Sequence, residues 1–267
     1  MTGRMLCSLL LLAVMGLMMA PASRADDVKV ADDELHLYLL IGQSNMAGRA
    51  QVPEELAGVI DRCVLLNGKN EWVPAKNPLN LYSTIRKGEG MQKLGPGYSF
   101  ARIMLKANPD IKIGLVVNAR GGSKIEEWQR DAKYYKDLLQ RAQQAQKTGK
   151  LKGVLWHQGE SNSNNPDEYL DQLKALIANL RKDLGEDGLP FVAGQVNNTP
   201  PLKINDVIAK LPKAVPNTAV VSSEGLKCYD RWHFDTDSQL ELGKRYAQAM
   251  TKLQRAGDKQ EKTHRTE

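Results

Sequence analysis

Ser44 stands in Gly42-Gln43-Ser44-Asn45-Met46-Ala47, directly after the apolar run Leu37-Tyr38-Leu39-Leu40-Ile41. That run reads as a buried strand and Gly42 as its sharp exit. A serine there sits at the carboxyl end of a strand and the start of a helix, the edge where open α/β sheets bind ligands. The free N–H groups of a helix start favour developing negative charge. Ser44 is therefore a candidate nucleophile, although a serine after a glycine turn is also an ordinary helix cap. A nucleophilic serine needs a base, and the chain has four histidines to offer. His264 lies in a polar tail, His36 opens the first strand and His157 ends an apolar one. His233 instead follows Asp230 in Asp230-Arg231-Trp232-His233. A carboxylate at that spacing can orient an imidazole and stabilise its positive form. The alternative is a satisfied surface or core histidine.

Two further segments supply hydrogen-bond donors. The run Ile113-Gly114-Leu115-Val116-Val117-Asn118 leads into Ala119-Arg120-Gly121-Gly122-Ser123. Paired glycines after a strand let backbone approach a ligand and leave N–H groups free. The run Gly153-Val154-Leu155-Trp156 leads into His157-Gln158-Gly159-Glu160-Ser161. Ser44 N–H, Gly122 N–H and the Gln158 amide can together form an oxyanion hole. A tight turn and a solvated loop are the plainer readings of these residues. Four such features at the ends of successive strand candidates favour a site.

These motifs resemble the SGNH hydrolase superfamily, and within it the carbohydrate esterases of the sialate O-acetylesterase and acetylxylan esterase type. The likeness runs from about His36 to the helix ending near Met250. It implies that Ser44 is the nucleophile and His233 the base, oriented by Asp230. It also implies backbone oxyanion donors at Ser44 and Gly122, with Gln158 where many members carry Asn. Gly121 is the other candidate for the glycine donor. The resemblance adds an acetylated carbohydrate as substrate.

The elements that must position these residues alternate. Strand candidates lie near 36–41, 62–66, 111–118, 151–157, 189–195 and 218–222. Helix candidates lie near 97–108, 131–147, 166–183, 203–211 and 237–255. Strands separated by helices imply a parallel sheet covered on both faces, a three-layer α/β/α sandwich. The Ser44 motif is not Gly-x-Ser-x-Gly, because Met46 takes the last position, which argues against the larger α/β-hydrolase fold. The segment from Gly68 to Gly97 is long enough to wall a pocket, with Trp72 or Tyr82 stacking on a sugar, or to be an ordinary surface excursion. Trp128 reads as core. Glu160, Gln43 and Asn45 are candidates for contacts behind or beside the reacting groups. Arg120 can bind a substrate carboxylate or pair with a neighbouring acid.

A chain of 267 residues suits one sizeable domain. Residues 1–25 read as a secretory signal: Arg4, then an apolar run from Leu9 to Met19, then small residues through Ala25. That run is short for a membrane span. Residues 26–254 form the expected esterase domain, and the charged stretch 255–267 is expected to be disordered. The protein is therefore expected in the periplasm or outside the cell, without stable membrane insertion once cleaved. The formal charge of +6 is spread along the chain, without the basic clusters of a nucleic-acid binder. Cys63 and Cys228 can pair in an exported protein, or remain two buried thiols. No spacing of His, Cys and acids fits a metal, and no cofactor is expected. Two other functions compete: a hydrolytically dead carbohydrate-binding protein on the same fold, and an esterase or thioesterase for lipid-like acyl groups.

Overall fold

A computed structural model describes residues 35–264 except Thr199, with side chains through Gly257. The expected signal segment, residues 1–25, lies outside the described residues. In chain order the elements are β1 (Leu35–Gly42), α1 (Ser44–Ala47), β2 (Cys63–Leu66), β3 (Trp72–Pro74), α2 (Gly97–Ala107), β4 (Lys112–Ala119), α3 (Lys133–Ala145), β5 (Lys150–His157), α4 (Tyr169–Leu184), β6 (Phe191–Gly194), α5 (Lys203–Ile208), α6 (Leu211–Ala214), β7 (Thr218–Val221) and α7 (Thr236–His264).

The sheet has seven strands in the order β3-β2-β4-β1-β5-β6-β7. All neighbours are parallel except β3, which pairs antiparallel with β2. The central strand shows why the sheet is sandwiched. Leu35, Leu37, Leu39 and Ile41 of β1 enter the core on one face, while Tyr38 and Leu40 enter the core on the other. A strand buried on both faces has no polar side, hence the unbroken apolar run. Residues of α3, α4 and α5 fill the first core. On the second face α2 packs against α7, whose Leu242, Tyr246 and Met250 recur at four-residue intervals.

The expected three-layer parallel architecture is what the chain adopts, with three local differences. The edge strand β3 is too short, at three residues, to carry a readable alternation. The single helix expected over 203–211 is two, and Pro212, without an N–H, sits in the first turn of the second. The stretch from Arg255 onward, expected to be disordered, continues α7 as far as His264. Ala, Lys, Gln and Glu there are good helix formers, and extending a helix already nucleated against α2 requires no new nucleus.

The sheet order reverses direction at β1. The chain goes from β1 to one side (β2, β4) and then to the other (β5, β6, β7), which opens a crevice beyond the carboxyl end of β1. The registers place Gly42, Ala119 and His157 level at that edge. Two bonds lace the ends together: Gln43 N–H donates to His157 O (2.8 Å) and Arg120 N–H to Gly42 O (2.9 Å). Gly42 is required here. Its φ is 127°, and a Cβ would lie 2.2 Å from His157 O.

Candidate active site

The three strand ends and the loop after β7 enclose an open pocket of about 380 Å³. Gln43, Ser44, Gly121, Gly122 and Glu160 line it from the strand ends, with Trp232 and His233 from the last loop. Ser44 Oγ and His233 Nε2 are 3.0 Å apart, so the hydroxyl can donate to the ring. On its other side the ring lies 2.7 Å from Asp230 Oδ2 through Nδ1, which leaves Nε2 as the acceptor when the imidazole is neutral. A serine, an imidazole and a carboxylate in this order can transfer a proton from the hydroxyl as oxygen attacks a carbonyl.

Asp230 reaches this position through a small loop pinned at its base. Cys228 and Phe234 pair as an antiparallel bridge, and Tyr229 N–H donates to His233 O (3.0 Å). Within the loop Asp230 Oδ1 accepts the N–H groups of Trp232 and His233, both at 2.7 Å. Partial burial alone would raise the Asp230 carboxyl, but the bonds from the His233 ring and these two N–H groups outweigh it and hold it below the usual range. Tyr229 stacks on the His233 ring, centroids 5.9 Å apart.

Helix α1 is only four residues long. Its contribution is therefore a set of individual free N–H groups rather than a long helix dipole. Opposite it, Arg120 to Ser123 form a turn: Ser123 N–H donates to Arg120 O (3.2 Å), and Gly122 has φ 74°. A positive φ at the third position is the type II pattern that selects glycine. Both Gly121 and Gly122 line the pocket.

Gln158, expected in the oxyanion hole, is not there. It is fully buried, and its Nε2 donates to Ser123 O (3.0 Å) and Asn162 Oδ1 (2.7 Å). Both amide hydrogens are consumed beneath the glycine turn. The amide that lines the pocket belongs to Gln43. Gln43 Oε1 accepts the N–H groups of Gly159 and Ser161, each at 3.4 Å, which fixes the oxygen on the β5 loop and leaves Nε2 for the pocket. Spacing alone could not separate the two glutamines, because each follows a strand end directly.

Asn45 is fully buried behind Ser44 and ties both sides of the site together. Its Nδ2 donates to Glu160 Oε1 (2.7 Å) and to Trp232 O (2.9 Å), and its Oδ1 accepts from Phe234 N–H (3.1 Å) and Gln239 Nε2 (3.1 Å). Burial pushes the Glu160 carboxyl up to about 7, against the lowering effect of its hydrogen bonds. Its Oε2 is buried with no hydrogen-bond partner among the described residues. His157 is buried and held neutral, its pKa lowered by desolvation to about 3. It pairs with Tyr246 (3.1 Å) in the core, away from Ser44.

Three other expected contacts lie elsewhere. Trp72 is on the edge strand, where its Nε1 donates to Thr148 Oγ1 (2.8 Å) and its ring fills the space a Gly114 side chain would occupy. Tyr82 lies in a separate groove with Val59, Leu65 and Pro78. From the long 68–97 segment it is Lys87 and Met91 that reach the site. Arg120 turns away, donating to Ile85 O (3.0 Å) and lying over the Tyr134 ring. Trp128 is core, edge-on to Trp156. Arg49, Lys87 and Met91 complete the lining from outside the motifs, beside Ser161 and Trp232 from within them. Cys63 and Cys228 are both free thiols. Among the described residues no group of His, Cys and acids could hold a metal, and no helix is long and apolar enough to cross a membrane.

A family model described as carbohydrate esterase, sialic acid-specific acetylesterase matches residues 34–252. The chain belongs to this family of carbohydrate esterases. A probable carbohydrate esterase of Arabidopsis thaliana is 31% identical over 236 residues, 80% of this chain and 89% of the relative. A solved structure from the same plant has a TM-score of 0.73 at 28% identity, covering 81% of this chain and 98% of that one. The crystal structure of NanS shares the fold (TM-score 0.67, 16% identity, 85% and 99% covered). So does a carbohydrate acetylesterase from Xanthomonas citri (TM-score 0.62, 22% identity, 84% and 57% covered). The resemblance read from the four motifs and the family match agree, and the esterase is a carbohydrate O-acetylesterase.

Proposed function

We propose that the esterase hydrolyses O-acetyl groups on a glycan through an acyl-enzyme, with Ser44 as nucleophile, His233 as base and acid, and Asp230 as its orienting carboxylate. The observation that carries this reading is the unbroken Ser44–His233–Asp230 hydrogen-bond chain at the pocket. Ser44 Oγ attacks the acetyl carbonyl carbon while its proton passes to His233 Nε2. The tetrahedral oxyanion is held by Ser44 N–H, Gly122 N–H and Gln43 Nε2. Its collapse expels the sugar oxygen, which takes the proton from His233. Water, deprotonated by His233, then attacks the acetyl-serine and releases acetate and Ser44. Asp230, ionised because its pKa is held low, stabilises the imidazolium formed in each half.

Xylan, sialic acid and related acetylated glycans fit this reading, and the apolar leader supports export to the periplasm or the exterior. A binding protein with a dead site would have no reason to keep the serine against the imidazole. Acetate release from p-nitrophenyl acetate and acetylated xylan, wild type beside Ser44→Ala, tests the reading. Turnover lost in the variant, with fluorophosphonate labelling of the wild type only, is the expected result. A folded wild type that neither turns over the small ester nor takes the label overturns it in favour of the binding protein. Turnover that rises with acyl chain length instead favours a lipid-type esterase.

A further inference from the structure

The pocket wall contains a buried cation without an acid. Arg49, 8% exposed, lies just beyond α1 and lines the pocket. Its Nη1 donates to two carbonyls, Gly48 O (2.8 Å) and Met91 O (2.7 Å), and no carboxylate lies within ion-pair distance of it among the described residues. Nη2 lies against Gly121. It comes 2.5 Å from the point a Gly121 Cβ would occupy, and Ser44 Cβ is 3.7 Å from the same point. A second cation stands beside it: Lys87 Nζ is 3.3 Å from the corresponding point on Gly122. Lys87 is exposed, lines the same pocket and has no acidic partner among the described residues.

Burying a guanidinium without a counter-charge is costly, and the two carbonyls compensate only in part. The acid on the pocket lining, Glu160, is committed to Asn45 and does not neutralise Arg49. Asp230 is committed to His233. An incoming carboxylate would meet the Nη2 donors of Arg49 and an ammonium flanking the Gly121-Gly122 turn, two cationic groups that can bind it with charge-assisted hydrogen bonds.

We propose that Arg49 and Lys87 form a carboxylate-binding site in the wall of the Ser44 pocket. The carboxylate comes from one of two sources, an acid group on the deacetylated sugar or the acetate released by the reaction. The assignment of the two sources rests on the esterase reading; the site itself does not.

Ser44→Ala protein, which cannot turn over, is titrated calorimetrically with D-glucuronate, D-glucose, sodium acetate and sodium chloride at fixed ionic strength. At least one carboxylate binds with about tenfold or greater advantage over glucose and chloride. That binding weakens about tenfold in Lys87→Gln and returns in Lys87→Arg. Arg49→Gln weakens it further where circular dichroism shows the variant folded, and Lys87 alone decides the matter where it does not. Glucuronate binding well above acetate assigns the site to an acidic sugar, and equal binding assigns it to the acetate product. Carboxylates that bind no better than chloride, or binding unchanged in Lys87→Gln, overturn the site. Wild-type turnover of p-nitrophenyl acetate is measured in parallel. Its absence beside intact carboxylate binding defeats the esterase reading alone, and its presence without carboxylate binding defeats the site alone.

Discussion

The two halves of the site are built in opposite ways. Every residue from Tyr38 to Ala50 is buried, and Ser44 stands on a strand end laced to both neighbours. The loop that carries Asp230 and His233 is short, irregular and largely exposed, with Tyr229 at 56%. Ser44 and the donors around it take their position from the core. The base takes its position from a few directed hydrogen bonds, above all those of Asn45 to Trp232 O and Phe234 N–H. Under the proposed mechanism, a preorganised hole and a tethered base divide the work of catalysis between packing and polar contacts.

Substitutions can break this contrast. The largest effect among them is expected at Gln43→Ala, which removes a pocket amide from the rigid half. Its kcat should fall roughly 10²–10³-fold with KM little changed, and steady-state kinetics on a small acetyl ester reads both. A fall confined to KM would remove Gln43 from the hole. Next comes Asn45→Ala, which unties the loop and strands Glu160, Phe234 N–H and Gln239. Turnover should drop about 10²-fold, with about 2–3 kcal/mol of stability lost in urea unfolding. Unchanged turnover would show that the loop holds itself.

Gln158→Ala sharpens the comparison within the rigid half, since this amide supports the glycine turn from below. Stability should fall by about 1–3 kcal/mol, while kcat falls less than in Gln43→Ala. The reverse ranking of the two glutamines would restore Gln158 to the hole. The smallest effect on turnover is expected at Glu160→Gln, and its signature is in pH. The folded carboxyl titrates at about 7 rather than its ordinary 4.5. Its stabilising contribution is therefore complete below the unfolded value and is lost as pH rises through about 7. The variant lacks this loss, so it should gain on the wild type between pH 5 and pH 8 by up to about 3 kcal/mol. A difference that stays constant across that range would place the ionisation elsewhere.

The long apolar strands were readable because burial on both faces leaves an uninterrupted run, as in β1 and β4. The edge strand β3 was not: three residues are too few for its period to register. Asp230 and His233 were legible as a local pair, since three residues of one loop bring them together. Trp72 and Tyr82 misled for the complementary reason. Aromatic type says that a ring will be covered, but not by what, and here the covers are Thr148 on one side and the β2 groove on the other.

By itself the sequence determined the alternation of strands and helices, the parallel sheet and the candidate nucleophile at a strand end. Each of these is written in local periodicity and in residue types next to one another. The tertiary structure decided which glutamine faces the pocket, that Asn45 joins the two halves, and that Arg49 and Lys87 stand together without an acid. Those outcomes depend on which donors are consumed by partners far along the chain. Ser123 and Asn162 hold the amide of Gln158, while Gly159 and Ser161 turn that of Gln43 outward. Hydrogen-bond competition of this kind is settled only when the strand ends meet.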